Sequence, residues 1–287
     1  MNPNQYLPIV RRAIAEDLGL AGDLTSDAIA VPAAVSGTIV ARGAGTVAGL
    51  EVAAAAFTEI DHATVVDSLV KDGTKVTRGT KLIRVQGTAR SLLTAERLAL
   101  NVLGMMSGVA TATAQLVDLV KGTGARISDT RKTSPGLRIL EKYAVTVGGG
   151  INRRFGLHDA VMIKDNHLII AGGVRRAVEA ARAYVGHTVL IEVEVTSLDA
   201  LRELLDVGAD IVLLTNMDLA TIRSAVELVD GRFLVEASGG ITPETVRAVA
   251  EAGVDVISAG WITQSAPSLD VGFDLDDPDK VLGPKRR

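Results

Sequence analysis

The chain has no cysteine among its 287 residues. That excludes disulfide scaffolds, thiolate nucleophiles, cysteine-bound zinc and iron–sulfur clusters. Aromatic residues make up only 3%, so the core must be built from small aliphatic side chains, which suits helices packed on parallel strands. There is no basic excess: 30 Lys and Arg stand against 34 Asp and Glu. A general nucleic-acid binder carries the opposite balance, so no nucleic-acid partner is expected. No uninterrupted apolar run of membrane-spanning length occurs, and charges interrupt the N-terminal stretch where a signal peptide needs an apolar core. The expectation is a soluble cytoplasmic protein with no membrane partner. With 47% hydrophobic and 22% charged residues, wholesale disorder is excluded.

Two regions differ in pattern. Leu7, Val10, Ile14 and Leu18 are spaced as one helix face, with Gly19 as the stop. From Ser36 to Gly87 the apolar runs are short and punctuated by glycine, as in antiparallel strands joined by turns, with a helix over residues 47–60. Lys71–Val85 has the look of a biotinyl or lipoyl hairpin. It lacks the local context of a modifiable lysine at the tip, so a structural β-motif is the better reading. Residues 91–107 form a helix with Leu92, Ala95, Leu98, Ala99, Val102 and Met106 on its apolar face. Thr94, Arg97 and Asn101 share another stripe: a candidate site, or a solvated face.

Beyond residue 110, β-type runs alternate with amphipathic helices. They end near Asp129, Val147, Lys164, Glu194, Thr215, Ala237 and Gly260. Seven βα units predict a parallel α/β barrel, with an open sheet as the alternative. No dinucleotide-binding or Walker A glycine motif opens any of the helices. Ser238 lacks the nucleophile-elbow motif and an evident base, which argues against acyl transfer.

In parallel barrels the chemistry sits at the C-terminal ends of the strands. Those ends bring forward Arg131 and Lys132, Arg153 and Arg154, Lys164, Glu192 and Glu194, Thr215, then Ser238, Gly239 and Gly240, and finally Gly260. Residues 131–164 hold seven cations against Glu141 and Asp159, a local charge of +5. Arginine forks and lysine point charges gathered there point to a polyanionic ligand. The glycines after the sixth run, leading into a helix, suit a phosphate. Glu194 and Glu236 are carboxylates able to hold a hard ion such as Mg²⁺ bridged to substrate phosphates, or else to pair with neighbouring cations. The four histidines show no metal-ligand spacing, and His167 is site-lining or structural.

Several stretches, taken in order, resemble the quinolinate phosphoribosyltransferase family: GDLTSDAI (22–29), ARGAGTVAGLEVA (41–53), LLTAERLALNVLGMMSGVAT (92–111), DTRKTSPGLR (129–138), GGGINRRFGLHDAVMIKDNH (148–167), IEVEV (191–195) and EASGGIT (236–242). The resemblance covers nearly the whole chain, and the fourth and fifth stretches are the specific ones. It implies an N-terminal α/β sandwich domain over residues 1–110, with the tail 270–287 packed back on it. It also implies a seven-stranded parallel α/β barrel over 111–269. The implied reaction joins quinolinate to phosphoribosyl pyrophosphate with Mg²⁺, releasing pyrophosphate and CO₂ and giving nicotinate mononucleotide. A homodimer or a hexamer with shared sites is implied as well.

Carried over residue by residue, the resemblance places Arg131, Arg154, Lys164 and a partner-supplied Arg97 on carboxylates and phosphates. Lys132 stands at the reacting groups, and Glu194 at the metal–pyrophosphate, directly or through water. Ser238, Gly239, Gly240 and Gly260 take the 5′-phosphate. Two departures stand out. Arg153 occupies the place of a usual histidine and is expected to bind a carboxylate. Thr215 occupies the place of a usual aspartate, and Thr196 also stands where an acid is common. These departures keep open a paralogue acting on another ring acid, or a non-catalytic anion-binding protein.

Overall fold

The computed structural model describes residues 1–29 and 33–276; the part of the expected tail beyond 276 lies outside the described residues. The chain divides into two compact units. The first comprises Met1–Ala112, Ser134–Gly148 and the segment from Ser265 onward, and the second Thr113–Thr133 and Gly149–Gln264.

The first unit opens with helices α1 (Pro3–Leu18) and α2 (Leu24–Ile29). Asn2 accepts the Asn4 N–H as N-cap of α1, and Gly19 terminates it as its glycine predicts. There follow β1 (Ala34–Ala41), β2 (Gly45–Thr46), α3 (Leu50–Ile60), β3 (Val65–Ser68), β4 (Lys75–Val76) and β5 (Lys81–Thr88). Helix α4 (Ala89–Leu119) passes from the first unit into the second, and α5 (Arg138–Val147) returns to the first. Among the described residues α4 alone is long and apolar enough to cross a membrane by length and composition. Its apolar face accounts for that composition, because Leu92, Leu103 and Met106 are fully buried. Thr94 donates to Asp23 at 2.9 Å, while Arg97 and Asn101 on the same stripe stay exposed.

The C-terminal strand β12 (Val271–Leu275) adds to β1, giving an antiparallel sheet in the order β12-β1-β5-β3. Helix α3 packs on β3 and β5 and burys Phe57 in the core, with α1 beside it. The approach to β12 depends on two glycines one turn apart in α4. A Cβ on Gly104 would stand 2.9 Å from the Leu269 carbonyl oxygen, and one on Gly108 2.3 Å from that of Pro267. The hairpin look of Lys71–Val85 is corrected, because β4 pairs with β2 and β5 with β1 and β3; the turn before β4 has a structural task. Asp72 accepts the N–H groups of Gly49 (3.0 Å) and Leu50 (3.2 Å) at the start of α3, and the Tyr143 hydroxyl of α5 at 2.8 Å.

The second unit contains β6 (Arg126–Ser128), β7 (Val161–Ile163), α6 (Asp165–Ala171), α7 (Val174–Tyr184), β8 (Ile191–Val195), α8 (Leu198–Val207), β9 (Ile211–Thr215), α9 (Leu219–Val229), β10 (Leu234–Ser238), α10 (Val246–Glu251), β11 (Val256–Ser258) and α11 (Trp261–Gln264). Its six strands form one parallel sheet, β6-β11-β10-β9-β8-β7. Ser197 caps α8, and Gly208 and Gly253 follow α8 and α10, the residue types favoured at helix starts and ends.

The expected seven strands are therefore corrected to six, plus a single parallel bridge from Ser128 to Ile151. The run ending at Val147 is not a strand but helix α5, in the first unit. Its β-branched residues suggested extended chain, but Leu140, Glu141, Ala144 and Val145 are buried at helical spacing. Tertiary packing of that stripe overrides the local preference. Glu141 accepts the Ser134 N–H at 3.2 and 3.1 Å with its two oxygens, and burial raises its pKa.

Replacing Asp72 with Ala removes the acceptor of three donors at once. We expect a loss of unfolding free energy of about 1–3 kcal/mol, read from urea denaturation. An unchanged midpoint would mean that the carboxylate contributes nothing to the first unit.

Candidate active site

Successive residues in a strand face opposite sides, so residues in register across a parallel sheet share a face. Glu236 of β10 pairs with Leu213 of β9, which pairs with Glu194 of β8. Two residues further on, Ser238 pairs with Thr215 and with Ser258 of β11. Carboxylates and hydroxyls thus share one face toward the C-terminal ends of these strands.

The same face carries a buried charge cluster. The Arg153 guanidinium binds Glu192 and stands 3.2 Å by Nε from Glu236. The Arg153 N–H donates to Asp129 at 2.8 Å. The side chains of Glu192 and Glu236 are each 5% exposed, and that of Arg153 13%. One guanidinium faces more carboxyl groups than it can neutralise. Burial raises the pKa of Glu192 against the pull of Arg153. Burial likewise pushes Glu236 up to about 7, with Arg153 opposing and Glu192 adding to the rise. Arg153, expected on a substrate carboxylate, here directs its guanidinium at the protein's own acids.

Arg154 has a different environment. It donates to the Ala160 carbonyl at 3.0 Å and lies 3.5 Å from the Met162 sulfur. Burial lowers its pKa, and the neighbouring charges of Arg131 and Arg153 lower it further. Arg131 and Lys132 are exposed on the loop after β6. Thr130 accepts the Lys132 N–H at 3.0 Å, and Thr263 donates to the Lys132 carbonyl at 2.7 Å. The Lys132 stem runs against Gly260, where an added Cβ would come 2.7 Å from Cδ. Lys164 follows β7 directly and is exposed. Its N–H donates to Nδ1 of His167 at 3.0 Å, so His167 holds the turn into α6. Arg97 belongs to the first unit, exposed on α4.

The Ser238–Gly240 loop offers backbone donors. Gly239 and Gly240 both have positive φ, 95° and 62°. Among the described residues, the N–H groups of Gly239, Gly240, Ile241 and Gly260 meet no protein acceptor. Free N–H groups gathered on a loop favour an anion. The expected helix contribution is corrected here: α10 begins only at Val246 and is six residues long, so the loop itself supplies the donors.

Glu194 is half-buried, and Thr215 carries a buried hydroxyl with no hydrogen-bond partner. No group of three acidic or histidine side chains suited to a metal occurs among the described residues. A carboxylate beside hydroxyls does fit an oxygen-loving ion that takes its remaining ligands from phosphates and water. The sequence places Asp129 and Asn216 at run ends without giving either a role, and it does not bring forward Thr263. Asn216 carried a signal, since asparagine at a strand end tolerates left-handed backbone better than most residues.

Two family models match the chain: the N-terminal domain of quinolinate phosphoribosyl transferase over residues 23–107, and its C-terminal domain over residues 109–274. Nicotinate-nucleotide pyrophosphorylase (carboxylating) of Mycobacterium leprae is 44% identical over 273 residues, covering 93% of this chain and 95% of that protein. Among solved structures, NadC from Streptococcus pyogenes is similar with a TM-score of 0.91 at 40% identity, covering 96% of this chain and 99% of that one. The nicotinate-nucleotide pyrophosphorylase of Francisella tularensis gives a TM-score of 0.92 at 36% identity, covering 96% and 98%.

The buried cluster makes two predictions. Removing the guanidinium with Arg153→Ala strands Glu192 and Glu236, and we expect a loss of about 3–5 kcal/mol in denaturant unfolding at pH 8. The folded chain also holds the Glu236 proton more tightly than the unfolded chain does. Its contribution to stability is therefore full below the unfolded value of 4.5 and is lost as pH rises through about 7. Glu236→Gln should flatten this decline in a plot of melting temperature against pH; an unaltered slope would place the titration elsewhere.

Proposed function

The chain belongs to the quinolinate phosphoribosyltransferase family, and we propose that it transfers the phosphoribosyl group of phosphoribosyl pyrophosphate to quinolinate with loss of CO₂. The products are nicotinate mononucleotide and pyrophosphate, in the synthesis of NAD. The observation that carries this reading is the pairing of two anion sites on the second unit's strand ends. One is cationic: burial, and then the neighbouring charges of Arg131 and Arg153, hold Arg154 below its usual pKa. The other is the set of free N–H groups on the Ser238–Gly240 loop.

Arg131, Arg154 and Lys164 hold the two carboxylates of the ring, with Lys132 beside the reacting atoms. The backbone of Ser238, Gly239, Gly240 and Gly260 holds the 5′-phosphate. With both substrates anchored, the ring nitrogen faces ribose C1. The C1–oxygen bond breaks, its electron pair leaves with pyrophosphate, and the nitrogen lone pair forms the new C1–N bond. Catalysis here is positioning and charge stabilisation. The ring is then cationic. Its C2–carboxylate bond breaks, CO₂ departs, and the electron pair left on C2 beside the positive nitrogen takes up a proton. Arginine on the other carboxylate keeps the ring in place throughout.

Glu194 would hold Mg²⁺, directly or through water, and the ion would supply positive charge at the pyrophosphate leaving group. Thr215 adds a neutral oxygen to that side, where a carboxylate would add charge. We place the reaction in the cytoplasm and assign the working unit as a homodimer, or a hexamer, completed by Arg97 of the partner subunit. The exposure of Leu157, Ile169 and Ile170, at 73%, 77% and 86%, supports an apolar surface covered by a second copy.

Product that requires quinolinate, phosphoribosyl pyrophosphate and Mg²⁺ together, followed by mass spectrometry, is the expected result. Arg131→Ala and Lys132→Ala should each abolish it with the circular dichroism spectrum unchanged; turnover surviving both changes would falsify the assigned site. The Thr215 hydroxyl also favours a second reading, a same-fold enzyme for a different ring acid. Thr215→Asp separates the two: activity held or raised supports quinolinate, and a sharp loss supports the other acid.

A further inference from the structure

Two non-glycine residues among those described have a left-handed backbone, Asp230 with φ 47° and Asn216 with φ 54°. Asp230 ends helix α9, a common place for that conformation. Asn216 instead follows the last residue of β9 directly and ends no helix. Its surroundings supply the reason. Its N–H donates to the Ser238 carbonyl at 3.2 Å. Its side-chain oxygen stands over the next residue: a Cβ on Gly239 would come 2.1 Å from Asn216 Oδ1 and 3.0 Å from Cγ. The bare Cα face of Gly239 and the asparagine side chain thus occupy one interlocked space.

The rest of the loop is tied elsewhere. Ser238 donates through its hydroxyl to the Ser258 carbonyl at 3.2 Å, and Thr245 donates to the Gly240 carbonyl at 3.1 Å. Between these anchors lie the unused N–H groups of Gly239, Gly240 and Ile241. These ties hold a hydroxyl, two carbonyls and a Cα, and none consumes one of those donors. A loop of two glycines is otherwise soft, and its donors converge only if something stiff fixes it.

We propose that Asn216 is a positioning residue for the phosphoribosyl donor: its side chain, set by left-handed backbone against Gly239, holds the Ser238–Gly240 loop in the shape that takes the 5′-phosphate. This rests on the proposed phosphoribosyl transfer and adds to it a residue from a neighbouring strand that acts through the loop. Asn216 is neutral, so it shapes the loop without opposing the anion.

Three variants separate the backbone, the side chain and its charge. Asn216→Gly keeps the left-handed backbone and empties the space above Gly239. Asn216→Asp keeps shape and backbone but brings a negative charge to the anion loop. Asn216→Ala disfavours the backbone and removes the side chain. Steady-state kinetics are measured for both substrates. In parallel, phosphoribosyl pyrophosphate binding is measured by calorimetry with Mg²⁺, and melting temperature is recorded.

The expected result is a rise in KM and Kd for phosphoribosyl pyrophosphate of roughly tenfold in Asn216→Asp, the scale of one charge-assisted hydrogen bond. The rise is smaller in Asn216→Gly and comparable in Asn216→Ala. The KM for quinolinate stays within about twofold, since its site lies on other loops. Unchanged donor affinity in Asn216→Gly and Asn216→Asp overturns the proposal. So does a loss that affects both substrates alike and follows melting temperature, which marks a purely structural residue. A wild-type protein that binds phosphoribosyl pyrophosphate but forms no product overturns the proposed reaction, while the calorimetric order of the variants still decides the role of Asn216. A wild-type protein that does not bind it overturns both.

Discussion

Arg153 lies inside the parallel sheet with Glu192 and Glu236 at its guanidinium and Asp129 on its N–H. A charge removed from water at that depth is stable only with partners that stay in place. The guanidinium therefore ties β8, β10 and the segment after Ile151 to one another, while Asp129 extends the tie to the end of β6. Acids outnumber the cation, and Glu236 answers by holding its proton up to about pH 7. The cluster is apt for specifying an arrangement and poor at adding net stability, as buried ion pairs generally are.

The next residue along the chain makes the consequence visible. Arg154 donates to a carbonyl instead, and Glu192 and Asp159 act on it only by longer-range attraction. With Arg131 and Arg153 nearby, its charge is disfavoured. One arginine is paired with the protein's acids, while its neighbour has only a backbone carbonyl and a thioether at its guanidinium. The adjacent loop works in a similar way with uncharged groups: its carbonyls are engaged and its N–H groups are left open. Binding energy for two anionic substrates is thus stored as unmet electrostatic demand on a preformed frame.

Much of this was legible in residue order. Lys164, Thr215 and the Ser238–Gly240 glycines were placed at strand ends because short β-branched runs punctuated by helices declare a parallel sheet. The local charge of +5 over residues 131–164 pointed to an anionic ligand before any geometry was known. The failures are equally specific. The run ending at Val147 has strand-forming residues but a helical stripe of buried ones, and packing decides between the two. The seventh strand shrinks to the single bridge at Ile151. Asn216 stands at a run end in the sequence but gains a role only in the structure, because left-handed backbone is a property of a turn, and composition only permits it.

What the sequence by itself determined is therefore the alternation of elements, the chemical type of the ligand and the cations available to hold it, since these follow from periodicity and charge along the chain. Which of two adjacent arginines faces inward, which glycine is pressed against an asparagine of the neighbouring strand, and which backbone donors stay free were decided by the tertiary structure alone. Each depends on distances between residues far apart in sequence, and only close packing sets those distances.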